Sequence, residues 1–318
     1  MDWILSLLLA TVRLAIPVLL ISLAELYGQR AGMVNIGLEG LASIGALVGF
    51  LVCYVTGSNW LGLLCGALAG ILVNMIYAFS TVTLCADHTV YGMAVNIFAP
   101  ALASFIYRVY FGTGSDLKQI TTMASIAIPG LKDIPVIGPL LFDQSPMVYL
   151  TFVLVIVTAV FFGKTRAGLS YKSVGEHPQA AASVGINVYK MRYAGTTISG
   201  ALAGMGGFVY ALTTANCSSN GDVAGFGFLA LAVMIFGNWK PLNIAGASLL
   251  FGLFKCIAAA YTSLDINGDG VYLLAQIGIS AHFYQMLPYL ITIIVLAFTS
   301  KSSRAPKAEG IPYDKGSR

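Results

Sequence analysis

Residues 60–80 read WLGLLCGALAGILVNMIYAFS. The run holds no Asp, Glu, Lys or Arg. Its length matches the roughly 20 apolar residues that a helix needs to cross a bilayer. The rest of the chain has the same character. Hydrophobic residues make up 58% of the 318 positions and charged residues 9%, whereas a soluble domain carries roughly 25% charged residues. So few charges cannot cover a globule of this size with polar surface, and lipid must cover it instead. The length would allow two soluble domains at roughly 150 residues each, but the hydropathy overrides that expectation.

Similar runs lie at 3–23, 36–55, 90–110, 147–163, 193–212, 226–239, 242–260 and 284–299. The expected fold is therefore all-α, a polytopic transmembrane helical bundle of about nine spans, with residues 1–300 as the membrane domain. The first run carries Arg13 and lacks a basic start and a small-residue cleavage site, so it reads as a span and not a cleavable signal. The run at 226–239 is short for a crossing. Either it begins earlier, near Asp222, or it is a broken helix buried in protein.

Nine spans place the termini on opposite sides. With the C-terminus inside, the inner segments hold Arg30, Lys164, Arg166, Lys172, Lys190, Arg192, Lys240, Lys301, Arg304, Lys307, Lys315 and Arg318, and the outer loops hold only Lys118 and Lys132. The positive-inside rule then puts the N-terminus outside and the C-terminus in the cytoplasm. Arg13, Arg108 and Lys255 fall within spans. The polar tail 301–318 reads as a disordered cytoplasmic end.

Lipid is as apolar as leucine, so membrane helices associate through close backbone contact between small residues. Gly62, Gly66 and Gly70 form a tandem GxxxG, Gly45 and Gly49 form another, and Gly200, Ala203, Gly204 and Gly207 put small residues along a later span. The pattern predicts a tightly packed bundle.

The longest inner loop, 164–192, contains Gly175-Glu176-His177-Pro178-Gln179-Ala180-Ala181-Ala182-Ser183-Val184-Gly185. Proline suits the first helical position, where no N–H is needed. Glycine past the end suits a left-handed cap. A helix of about two turns is expected over 178–184. Its alanine-rich face is too weakly apolar to anchor in lipid, which favours docking into a partner.

Four segments together resemble the permease subunits of ATP-binding-cassette importers, in the branched-chain amino acid, ribose and nucleoside family. They are Glu25–Gly40 with its RAGMVNIGLEG stretch, the YGMAVN of 91–96, the loop helix with Gly175, Glu176, Pro178, Ala181 and Gly185, and GFGFLALAVMIFGNWKP at 225–241. The first of these is similar to nucleoside-type members. The resemblance implies that the loop helix couples the chain to a cytoplasmic ATPase. It also implies a second permease subunit (a heterodimer), an external substrate-binding protein, a cell-membrane location with lipid around the spans, and no nucleic acid partner. No GxxxxGK[ST] phosphate loop occurs in the chain, as expected of a permease powered by another subunit. The openings IGLEG at 36–40 and GFGF at 225–228 suggest an internal repeat.

Polar groups at membrane depth are costly and mark functional candidates. Asn35, Glu39, Asn74 and Asn96 are the candidates for the substrate pathway. Glu39 either pairs with Arg30 or serves the pathway. Asn74 and Asn96 either join helices or offer amide contacts to a base or ribose. Lys255 either lines the pathway or pairs with a neighbouring carboxylate.

Other chemistry finds little support. The five cysteines are scattered without metal-ligand spacing, and neither HExxH nor GxSxG occurs. No cofactor, metal site or catalytic residue is expected. Residues 265–270 open like a calcium loop, but the twelfth position is Gln276 and not the bidentate Glu. They read as a polar turn facing the external binding protein. A passive channel would have no use for the loop helix.

Overall fold

The computed structural model describes residues 2–112, 118–127, 138–260 and 305–314, with a few helical positions between 283 and 293. The described chain is helical almost throughout. Helices α1 (Asp2–Arg30), α2 (Leu38–Thr56), α3 (Asn59–Ala78), α4 (His88–Phe111), α5 (Pro146–Lys164), α6 (Arg166–Glu176), α7 (Pro178–Ser183), α8 (Val188–Thr213), α9 (Phe226–Phe236) and α10 (Pro241–Ala260) follow in order. A π-helical turn, Phe79–Thr83, extends α3. A two-residue antiparallel pair, Ile126–Ala127 with Asp143–Gln144, lies between α4 and α5.

Six helices among the described residues are long and apolar enough to cross a membrane: α1, α2, α3 with its π turn, α4, α5 and α10. The chain is thus a multi-pass membrane protein. Two of the expected nine spans take another form. The run at 193–212 is α8, whose 26 residues include many glycines. It packs against α1, α2 and α3, so it needs small residues more than apolar bulk. The run at 226–239 is α9, with 11 residues. At about 1.5 Å per residue it is too short to cross alone, so a crossing here includes the irregular residues 214–225 that lead into it. The run at 284–299 lies almost wholly outside the described residues, as do residues 265–270.

The centre of the bundle is the crossing of α2, α3 and α8. On α3, Gly62, Gly66, Gly70 and Asn74 are buried along one face, while Leu61, Leu64, Leu68, Leu72 and Ile76 are exposed on the other. The spacing of four places each set on one side of the helix, and the leucine side suits lipid. A Cβ on Gly204 would collide with the carbonyl of Gly66, and one on Gly70 with the carbonyl of Gly200. A Cβ on Gly45 would collide with Gly204. Three backbones therefore meet where the GxxxG pattern predicts.

The bundle has two distinct ends. At one, Asn59 Nδ2 donates to the Thr121 carbonyl at 3.2 Å, and the Ile120 amide donates to the Cys217 carbonyl. At the other, Arg30, Glu176, Trp239 and residues 305–314 gather. The tail expected to be disordered is packed over 305–314: Ala308 and Tyr313 are buried. It finds a groove between the loop after α1 and the α6–α7 segment.

Replacing Gly204 with Val should cost about 1–3 kcal/mol or more through overpacking, seen as a lowered melting temperature in detergent. Gly246→Ala is the control, because a Cβ there meets nothing within 4 Å. It should melt unchanged.

Candidate functional site

Two helices begin inside the bundle. Residues 31–37 turn back from the end of α1, and α2 starts only at Leu38. The Asn35 amide donates to Glu25 Oε1 at 3.3 Å, which places this start beside the interior of α1. The second interior start belongs to α9, entered through Gly225 in the left-handed conformation.

A helix start leaves N–H groups without intrahelical partners, and the hydrocarbon region supplies no water to meet them. Protein side chains do so here. Asn96 Oδ1 accepts from the Gly40 amide at 2.9 Å, and its Nδ2 donates to the Ile36 carbonyl at 2.7 Å. Asn35 Oδ1 accepts from the Gly37 amide at 2.9 Å. Glu39 serves α9: its two oxygens accept from the Gly225 and Gly227 amides, each at 2.7 Å. The carboxyl sits where the positive end of the α9 dipole favours it.

The two starts therefore touch, and their helices run to opposite ends. α2 ends near Asn59. α9 ends near Trp239, whose ring N–H donates to Gln29 Oε1 at 2.6 Å. The two openings that suggest a repeat in the sequence are the two ends joined by Glu39.

The remaining candidates occupy the same region. Asn35 Nδ2 donates to Asn74 Oδ1 at 2.8 Å, and Asn74 Nδ2 donates to the Thr196 carbonyl at 2.6 Å. All three asparagine amides thus join helices. Glu39 does not pair with Arg30. The Arg30 guanidinium donates to the Trp239 carbonyl at 2.9 Å and stands 3.9 Å from Glu176. Lys255 Nζ lies 5.1 Å from the centre of the Phe226 ring and within electrostatic reach of Glu39. Arg13 and Arg108 are exposed, as snorkelling side chains should be.

Several interior polar residues escape the sequence reading. Glu25 and Arg192 are fully buried. His88 is the first residue of α4 and buried, with its Nδ1 2.9 Å from the Tyr77 hydroxyl. The signal for Glu25 is present in the sequence, since an acid inside an apolar helix is a candidate by default, but it lies just past the first apolar run at 3–23. No group of three His, Cys, Asp or Glu among the described residues is placed to hold a metal ion.

The second candidate region is the inner loop. Its short helix is α7, with Pro178 at the first position. Gly185 follows the helix at φ +87°, a left-handed value that no other side chain adopts without strain, and its amide donates to the Ala182 carbonyl. α6, which precedes it, is not evident from periodicity because two glycines lie within it. Thr165 caps it by accepting from the Gly168 amide at 3.0 Å. Tyr171 on α6 donates to the Tyr27 carbonyl at 2.6 Å, and burial pushes its hydroxyl well up, so it stays an O–H donor. Gly175 is buried against Arg30, where a Cβ would press on the Arg30 carbonyl. Ala181 alone faces inward on α7, while Gln179, Ala180 and Ser183 are exposed. The loop is thus a knuckle packed against the end of α1, with a small-residue face outward.

Removing the Glu39 carboxyl should destabilise the bundle. Glu39→Leu strands two amides and should cost about 2–6 kcal/mol, at about 1–3 for each buried group left unsatisfied. Glu39→Gln keeps one acceptor and should cost about half as much. Thermal unfolding in detergent reads both.

A family model described as the branched-chain amino acid transport system / permease component matches residues 7–296. The chain is 41% identical to the nucleoside ABC transporter permease protein NupC of Lactococcus lactis, over 94% of this chain and 93% of that protein. It is 40% identical to the guanosine ABC transporter permease protein NupQ of Bacillus subtilis, over 97% and 96%. It is 31% identical to the putative glucose ABC transporter permease protein TsgC13 of Haloferax volcanii, over 94% and 92%. No solved structure matches the chain. With a match along nearly its whole length, this chain belongs to the permease components of the branched-chain amino acid transport system family.

Proposed function

We propose that this chain forms half of the translocation pathway of an ATP-driven nucleoside importer. The observation that carries the substrate class is the similarity, at 40–41% over nearly the full chain, to two permeases named for nucleoside and guanosine. The similarity to a putative glucose permease is lower, at 31%, so a simple sugar is the runner-up. The RAGMVNIGLEG stretch supports the same order.

The chain crosses the membrane about nine times in this reading, in the manner of a type II importer, with its N-terminus outside and its C-terminus in the cytoplasm. The gathering of Arg30, Lys172, Arg192 and Lys240 at one end supports that orientation. α7 is the coupling helix, and Gly175, Glu176, Pro178, Ala181 and Gly185 give it its form. Its exposed small-residue face seats in a cleft of a cytoplasmic ATPase. A second, different permease subunit completes the pathway, and an external binding protein delivers the solute.

The solute passes beside the junction of α2 and α9. Interior helix breaks are tolerated where the backbone is buried in protein or lines a cavity, and Phe228, just inside α9, is 45% exposed. Asn35, Glu39, Asn74 and Asn96 serve the pathway by shaping its wall, because each of them is already bonded to protein. Glu39 holds α9 where nucleotide-driven movement can tilt it.

Uptake of labelled guanosine, adenosine and ribose in cells with and without this chain tests the substrate. Nucleoside uptake should fall to background when the chain is removed. Unchanged nucleoside uptake with lost ribose uptake would favour the runner-up. The ATPase contact has its own test. Ala180→Asp places a charge on the exposed face of α7 and should leave the chain at its normal membrane level. It should weaken ATPase co-purification about tenfold or more, the scale of one disrupted central interface residue. Full retention of the ATPase would contradict the docking role.

A further inference from the structure

Residues 305–314 are held at points on three separate elements. The Ala308 amide donates to the Gly175 carbonyl at 2.9 Å, next to α7. The Gly310 amide donates to the Gly32 carbonyl at 3.1 Å, in the turn that leads into the interior start of α2. Arg192 Nη2, at the base of α8, donates to the Ile311 carbonyl at 2.9 Å. Arg192 is fully buried, and its Nε and Nη1 have no hydrogen-bond partner among the described residues. A buried guanidinium is costly, and a tail carbonyl is what it holds. Tyr313 completes the attachment. It packs with Val174 of α6, Ala181 of α7 and Val188 of α8 in one small buried cluster, separate from the main core. Its ring lies 5.3 Å from that of Tyr189, whose hydroxyl donates to the Tyr313 carbonyl at 3.3 Å. Burial against this face pushes the Glu309 carboxyl up to about 7.

Ala181 is the inward-facing residue of α7, so the apolar contact that seats the helix on the bundle includes a tail residue. Without the tail, α7 would join the bundle through α6 and the short link to α8. With it, α7, the Gly32 turn and α8 form one tied unit. We propose that residues 305–314 are a strap that delivers movement of α7 to the interior start of α2 and to α8, with Arg192 as its positioning residue. The proposal rests on α7 being the ATPase-docking helix. It assigns the tail a part in the coupling of ATP hydrolysis to solute movement.

The test uses the complete complex, with this chain, its ATPase, its permease partner and its binding protein, in proteoliposomes. A chain ending at residue 304 should keep the ATPase bound and hydrolysing within about twofold, while solute uptake and the solute moved per ATP fall about tenfold, a typical coupling magnitude. Tyr313→Ala should shift the same ratio in the same direction. Unchanged solute per ATP in both variants would overturn the strap, as would loss of the ATPase on truncation.

A second arm does not depend on the truncated chain folding. His177, just before α7 and outside its docking face, and Pro312 line one cavity of about 440 Å³ between the α7 segment and the tail. With Cys at both positions, a flexible bifunctional reagent should join tail to α7 and leave at least about half of the uptake, because the two move together. Abolished uptake would mean that the tail must leave α7, which contradicts a strap. Failure of the docking role itself reads differently: Ala180→Asp would then keep the ATPase whatever the tail does.

Discussion

The Glu39 carboxyl meets two amides at the start of a helix that begins inside the bundle. Much of the interior depends on that contact. In water such a start would be solvated, and its cap would contribute about 1 kcal/mol. In a hydrocarbon layer no solvent takes over, so the acceptor must come from the protein. Because Glu39 itself lies in the first turn of α2, one residue fixes two helix starts relative to each other. Asn96 and Asn35 then hold α2 in place. The result is one long helix and one short helix leading from one point to opposite ends of the bundle.

That junction requires a firm frame, and glycine supplies it. α8 approaches α2 and α3 so closely that an added methyl at Gly45, Gly70 or Gly204 would overlap backbone. Close contact of this kind gains dispersion without needing an apolar driving force. It also lets Asn74 on α3 reach both Asn35 and the backbone of α8. Packing and polar bonding therefore reinforce each other at one level of the bundle. The inner loop is attached to the same frame through Tyr171, Gly175 and the tail.

Local pattern made much of this legible from the chain itself. Leucine and glycine at spacing four separate the outer and inner faces of α3. Pro178 and Gly185 bracket α7 because each acts on its own backbone. What the pattern does not carry is pairing at a distance. Glu39 and its amides are 186 and 188 positions apart, so Arg30, nine residues away, was the natural local candidate. The amide of Asn74 gives no sign of whether a helix or a solute will meet it. α8 and α9 match the expected runs, but whether each crosses depends on what surrounds it. Residues 305–314 hold too few apolar groups to be expected in a packed role. They are packed because a groove with a buried Arg192 awaits them, and no feature of the tail itself signals that groove.

The central claim is that the junction of α2 and α9 stands beside the path of the solute. Thiol labelling at position 228 tests it most directly. The measurement uses the assembled complex with the five native cysteines replaced and Phe228→Cys introduced. A membrane-impermeant maleimide should label this position, and saturating guanosine should slow the labelling. Absence of labelling, or a rate unaffected by any nucleoside, would contradict the account and place the solute path elsewhere.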